Sequence, residues 1–159
     1  MSKEIRKFGK WPSGVSAEFV ADKALRFQNV QALGDDLYWS EQHPEQDGRV
    51  TIMRARFNGQ VHELIKSPWS ACTKVHEYGG SAFLATDKTL FFVNAEDQQI
   101  WTLNNRPDSG DIPLPPNTPK QMTHSPAWRF ADLTYDAQRQ QLICVVKNTK
   151  RQTHTTPSI

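Results

Sequence analysis

Three short apolar runs recur at nearly constant distance: Leu37-Tyr38-Trp39, Leu90-Phe91-Phe92 and Leu142-Ile143-Cys144, with 53 and 52 residues between successive leading leucines. A fixed period of this length points to a repeat architecture, in which each unit buries its apolar face only against its neighbours. Each run follows a turn-forming segment, Gly34-Asp35-Asp36, Thr86-Asp87-Lys88 or Asp136-Ala137-Gln138-Arg139. Before each turn lies another strand-like stretch, at Val30 to Leu33, Ser81 to Ala85 and Ala131 to Tyr135. The unit is a strand, a turn and a second strand, three times over.

The first unit continues with Val50 to Phe57, Asn58-Gly59 and Gln60 to Ile65. Asn-Gly between two such runs predicts a hairpin with a type I′ turn, since both residues accept positive φ. The second unit continues with Gln99 to Leu103 and, after a Pro-rich loop, Lys120 to Thr123, while the third ends after its second strand. Four strands per ~50 residues is the pattern of propeller blades. Apart from Ser16 to Arg26, no stretch of ten or more residues carries a helical period, so the fold is expected to be all-β. A ring needs at least ~4 blades, and the chain supplies roughly two and a half, so the expectation is an incomplete β-propeller.

The division that follows is an N-terminal segment over 1–24, a partial propeller over 25–148 and a disordered polar tail over 149–159. The loop from Asn104 to Pro119 holds five prolines and cannot pair as an inner strand, so it reads as a surface excursion within the second blade.

Composition removes several function classes. Lys plus Arg number 19 against 17 for Asp plus Glu, and no basic stripe with interleaved aromatics occurs, so a nucleic-acid partner is not expected. The charged N-terminus leads into no apolar core, and no stretch approaches the ~18 apolar residues of a membrane span. Cys72 and Cys144 alone make no disulfide framework. The expectation is a cytoplasmic chain that meets no membrane. The five histidines show no ligand spacing, so neither a metal nor another cofactor is expected.

Certain segments are similar to a known family. Trp11-Pro12-Ser13-Gly14-Val15-Ser16-Ala17-Glu18 resembles the opening segment of acylaminoacyl-peptidase and dipeptidyl-aminopeptidase-like members of the prolyl oligopeptidase family. Thr73-Lys74-Val75-His76-Glu77-Tyr78-Gly79-Gly80 resembles the approach to their second blade, and Trp128-Arg129-Phe130-Ala131-Asp132-Leu133 the approach to the third. The likeness runs from about Lys10 to Val146. It implies a propeller that caps an α/β-hydrolase domain and screens which peptides reach a Ser-Asp-His triad. No serine here stands in the Gly-x-Ser-x-Gly context that a nucleophile elbow needs. The chain is therefore expected to be a truncated, catalytically inactive part of a serine peptidase, with no catalytic residue of its own and with peptide substrates reached only through the missing hydrolase domain. The alternative is a non-enzymatic interaction module that completes its ring by self-association through an open blade edge.

Within that frame His76, Glu77 and Tyr78 are the candidate substrate-binding residues. In aminopeptidase-like relatives acidic propeller residues hold a free amino group, and Glu77 has the chemistry for such a charge-assisted hydrogen bond. The simpler reading is that Gly79 and Gly80 form a structural motif whose torsions are closed to other residues, with His76 and Tyr78 satisfying hydrogen bonds between blades. Cys72 and His76 are not read as a nucleophile and its base, and Cys144, in an apolar run, is expected to be a small core residue. Trp39 and Trp101 fall on strands, whereas Trp69 and Trp128, beside prolines in connections, are expected to be more exposed.

Overall fold

The computed structural model describes residue 7 and residues 25–75, 80–105 and 117–150. Its strands are β1 (Arg26–Leu33), β2 (Asp36–His43), β3 (Arg49–Ala55), β4 (Val61–Glu63), β5 (Phe83–Ala85), β6 (Thr89–Val93), β7 (Ile100–Asn104), β8 (Lys120–Gln121), β9 (Trp128–Asp136) and β10 (Gln141–Asn148). They form three antiparallel sheets in chain order, of four, four and two strands. The partial propeller of two complete blades and one half-blade is thus the observed architecture. Among the described residues the only helical turn is a 3-10 turn at Pro44–Gln46, and no helix is long and apolar enough to cross a membrane. The helical period read at Ser16 to Arg26 fails at its end, where Arg26 opens β1; residues 16–24 lie outside the described set.

The first strands of successive blades lie side by side, β1 against β5 and β5 against β9. Meander sheets stacked through their leading strands have the radial order of a propeller. Alternation along each second strand then decides which neighbour a side chain meets, because successive residues point to opposite faces. Tyr38 of β2 packs with Leu90 and Phe92 of β6 in one core, with Ile52, Ile65, Phe83 and Leu103 around them. Phe91 and Val93, the alternate residues of β6, face the third blade in a second core with Ile100, Phe130 and Leu133, joined by Leu142 and Cys144. Leu90, Phe92 and Val93 are fully buried, and each such side chain contributes about 1.5–3 kcal/mol on leaving water.

Two first strands carry the same irregularity. Asn29 in β1 and Asp132 in β9 have φ of 46° and 53°, and each sits at a break in register with the next strand, between Gln28 and Val30 in β1 and opposite Ile143 and Val145 in β9. Short polar side chains tolerate the left-handed region, and a bulge there bends the strand and re-aims its side chains.

The Asn58-Gly59 hairpin is present, but the turn is different from the expected type I′. Only Gly59 has positive φ, at 82°, and Asn58 does not. The Gly59 N–H donates to the Arg56 carbonyl and the Arg56 N–H to the Gln60 carbonyl, which makes a three-residue loop closed by a left-handed glycine. At the start of the tail read from sequence, the Thr149 N–H and hydroxyl both donate to the Ala127 carbonyl. Residues 151–159 lie outside the described set.

Candidate functional site

Four of the five residues singled out from sequence, His76, Glu77, Tyr78 and Gly79, lie outside the described residues; the structure describes both ends of their segment. On the near side, the Thr73 hydroxyl donates to the Phe130 carbonyl at 2.5 Å and Arg129 Nη1 donates to the Lys74 carbonyl at 3.2 Å. On the far side, the Ser81 N–H donates to Asp132 Oδ1 at 2.8 Å, and the Asp132 N–H donates back to the Ser81 carbonyl at 2.9 Å. All four contacts come from β9. The segment that opens the second blade is thereby stitched at both ends to the first strand of the third.

Gly80 fits this frame for a steric reason. A Cβ there would lie 3.2 Å from Asp132 Oδ1 and 3.3 Å from the Ala131 Cβ. Gly80 does not have the positive φ of Gly34, Gly48 and Gly59, so what sets it apart is the close approach of the Asp132 carboxylate and the Ala131 side chain, not its torsions. The bulge at Asp132 makes that approach possible, since it turns the carboxylate toward the 80–81 peptide.

Gln98 braces the same connection from below. Its Oε1 accepts the Lys74 N–H at 2.7 Å, and its Nε2 donates to the carbonyls of Cys72 and Ala95 at 3.1 and 3.0 Å. Gln99 does the same for the next connection, accepting the Ser125 N–H at 2.8 Å and donating to the Ser125 carbonyl at 3.1 Å. Two adjacent glutamines in one turn thus hold the linkers leading into the second and third blades. Sequence reading missed Gln98, Gln99 and Asp132 as determinants, although Asp132 lies in the Trp128–Leu133 stretch that carried the resemblance.

The thiols are placed for packing. Cys144 is half-buried beside the second core, and burial pushes its thiol above the ordinary range, which disfavours the thiolate a nucleophile requires. Cys72 directs its sulfur to the Thr73 carbonyl at 3.8 Å. Trp69, expected to be more exposed, is half-buried, its ring 4.3 Å from that of Trp101 and edge-on to Phe92, because the connection after β4 folds back over the first core. Trp128 is exposed as expected.

A concavity of about 540 Å³ lies between the connection after β4 and the ends of β7 and β8, lined by Arg54, His62, Lys66, Trp69, Asn105 and Asn117 among others. Arg54 is committed to Asp36 and lies over the Tyr38 ring at 5.5 Å. At its rim, Asn117 closes the base of the Pro-rich loop, accepting the Asn104 N–H at 3.2 Å and donating to the Asn104 carbonyl at 2.8 Å. The walls offer hydrogen-bonding groups and charges of both signs, with Glu63 and Ser67 among the lining residues.

No family model and no curated protein matches the chain, but solved structures do. A Mycobacterium tuberculosis puromycin-hydrolyzing peptidase is 33% identical, with a TM-score of 0.71, over 91% of this chain and 22% of that one. A puromycin hydrolase is 26% identical with a TM-score of 0.65, over 83% of this chain and 20% of that one, and a serine-to-alanine mutant of such a hydrolase complexed with PGG gives 26% and 0.66 over the same shares. In sequence and fold the chain is similar to the propeller part of these peptidases, which are of the prolyl oligopeptidase family. It spans about a fifth of the length of the peptidases it matches. The stretches Thr73–Gly80 and Trp128–Leu133, which carried the resemblance, are joined by the interlock of Thr73, Arg129, Asp132 and Ser81.

Proposed function

We propose that this chain is the substrate-screening part of a serine peptidase: a propeller segment that admits and selects peptides for an α/β-hydrolase domain and hydrolyses nothing itself. The observation that carries the reading is the 33% identity over 91% of this chain to one fifth of a puromycin-hydrolyzing peptidase, together with the lack of any Gly-x-Ser-x-Gly in the 159 residues. Glu77 is the group proposed to receive the free amino end of a substrate, with His76 and Tyr78 beside it. The braced ends of their segment support this role, since a binding group needs a rigid frame to hold it in place. The proposed compartment is the cytoplasm, in keeping with two free thiols.

The test has two parts. The 159-residue chain, incubated with aminoacyl chromogenic substrates and a serine-directed fluorophosphonate, is expected to give neither turnover nor label; turnover abolished by the inhibitor overturns the assignment. In the protein that joins this chain to a hydrolase domain, Glu77→Gln is expected to raise KM for peptides with a free amino terminus and leave N-blocked peptides unchanged. Equal effects on both remove Glu77 from the role.

A second reading, an interaction module that completes its propeller by self-association, is supported by β10, which among the described residues pairs with β9 alone. An unpaired edge offers a row of backbone donors and acceptors to another strand.

A further inference from the structure

Seven asparagines occur in the chain, and only Asn58 is followed by a glycine. The pair sits at the tip of the hairpin between β3 and β4, beyond the closing bond from the Arg56 N–H to the Gln60 carbonyl. Phe57, Asn58, Gly59 and Gln60 are all exposed, and a Cβ built on Gly59 would meet nothing within 4 Å. Water therefore reaches both residues of the pair. β4 is the outermost strand of its sheet, and blades stack through the faces of their sheets rather than on such a tip.

The Asn58 side chain is held over the peptide that follows it. Its Oδ1 accepts the Gln60 N–H at 3.0 Å, and its Nδ2 donates to Gln60 Oε1 at 3.1 Å. The first bond is that of an Asx turn. It draws electron density from Cγ and aims a donor at the oxygen on which charge collects when Cγ is attacked. The nucleophile one residue on is the Gly59 backbone nitrogen, and the lack of a Cβ there leaves its torsions free to approach. Its N–H is engaged by the Arg56 carbonyl at 2.9 Å, a single bond at an exposed tip whose net contribution is small.

We infer that Asn58 is a modification site, at which the folded chain deamidates spontaneously. The Gly59 nitrogen gives its proton to water and forms a bond to Asn58 Cγ. The bond from Cγ to Nδ2 breaks, and the amide nitrogen leaves as ammonia, which closes a cyclic imide. Water then opens the ring at either carbonyl, giving aspartate or isoaspartate; water is consumed, ammonia is released and nothing is oxidised or reduced. Aspartate keeps the hairpin, because a carboxylate still accepts the Gln60 N–H. Isoaspartate adds a methylene to the backbone between residues 58 and 59, so the loop no longer fits the pairing of Ala55 with Val61. The inference does not depend on the peptidase reading.

Peptide mapping by mass spectrometry tests it, on the full chain incubated in neutral buffer and, in parallel, in urea. The expected result in buffer is a mass gain at residue 58 that grows with time and divides between aspartate and isoaspartate, while the other asparagines stay intact. Asn58→Gln, whose longer side chain must close a larger ring, is expected to lose the gain. Urea unfolding of the products, separated by ion exchange, is expected to give the isoaspartate form a lower midpoint than Asn58→Asp. Conversion confined to the chain in urea overturns the inference, because the hairpin then protects the amide. So does a residue 58 that keeps its amide in both solvents, or one that converts no faster than the other asparagines. An isoaspartate form as stable as Asn58→Asp overturns the claim about the hairpin.

Discussion

The side-chain amide of Gln31 brackets the backbone of Ala85: its Nε2 donates to the Ala85 carbonyl at 2.7 Å and its Oε1 accepts the Ala85 N–H at 2.9 Å. One side chain supplies the two bonds that a neighbouring strand would give, and so joins β1 to β5 across the boundary between blades. Asp132 brackets Ser81 between the second and third blades with one side-chain and one backbone bond, its carboxylate accepting the Ser81 N–H and its own N–H donating to the Ser81 carbonyl. The short strand β5 is therefore held from both sides.

Gln31→Leu keeps much of the volume and removes both bonds. Leaving a partly buried backbone pair unsatisfied costs about 1–3 kcal/mol. Urea unfolding followed by tryptophan fluorescence is expected to show a lower midpoint of that size. An unchanged midpoint would mean that the bracket contributes nothing to blade packing.

Gly80→Ala tests the tightness of the second bracket. The new methyl would meet the Asp132 carboxylate at 3.2 Å and the Ala131 Cβ at 3.3 Å, and overpacking of this kind costs about 1–3 kcal/mol. The same unfolding experiment is expected to show a loss that Ala131→Gly, added to the first change, partly reverses. A neutral Gly80→Ala would indicate that β9 yields at this point.

The repeat was legible because a 52–53 residue spacing and period-2 alternation are properties of the chain itself. Leu37, Leu90 and Leu142 open the apolar runs, and β2, β6 and β10 are where those runs predicted strands. Asn58-Gly59 marked the hairpin correctly, yet its turn type depended on whether Asn58 itself would turn left-handed, and the three-residue loop spared it. The brackets of Gln31, Gln98, Gln99 and Asp132 had no sequence signal, because a polar side chain that bonds a backbone 24 to 54 residues away leaves no spacing to read. For the same reason Trp69 looked exposed from its prolines alone; the fold of its connection over the first core decides its burial. Of the candidate site, Gly80 is explained by its contacts, whereas His76, Glu77, Tyr78 and Gly79 lie outside the described residues.

Arg49 gathers the end of the first blade, donating to Glu63 Oε1 at 2.6 Å, to Gln46 Oε1 at 2.6 Å and to the carbonyls of Ile65 and Trp69 at 3.2 and 3.3 Å. Burial works against ionisation of Glu63, but hydrogen bonds from Arg49 and Thr51 and the Arg49 charge outweigh it and hold the carboxyl below its ordinary value of 4.5. A depressed carboxylate stabilises the folded state fully above the unfolded value, and that contribution is lost as pH falls through the folded value. Stability is expected to decline on acidification below about pH 4.5, with a shallower decline in Glu63→Gln. Equal slopes in the two proteins would remove Glu63 from the acid response.

Cys144 offers a probe of the boundary between the second and third blades. Burial raises its thiol, so in a Cys72→Ser background it is expected to react with a thiol reagent more slowly in the folded chain than in urea. Ile143→Glu, on the opposite face of β10, is expected to leave that rate unchanged. Equal rates in the folded and unfolded chain would place the sulfur in water.

The account's central claim, that this chain screens substrates for a catalytic domain, is tested most directly by reading the native transcript through and beyond the codon for Ile159. The expected result is an in-frame continuation with further blades of about 50 residues followed by a Gly-x-Ser-x-Gly. A stop codon directly after Ile159 would contradict it.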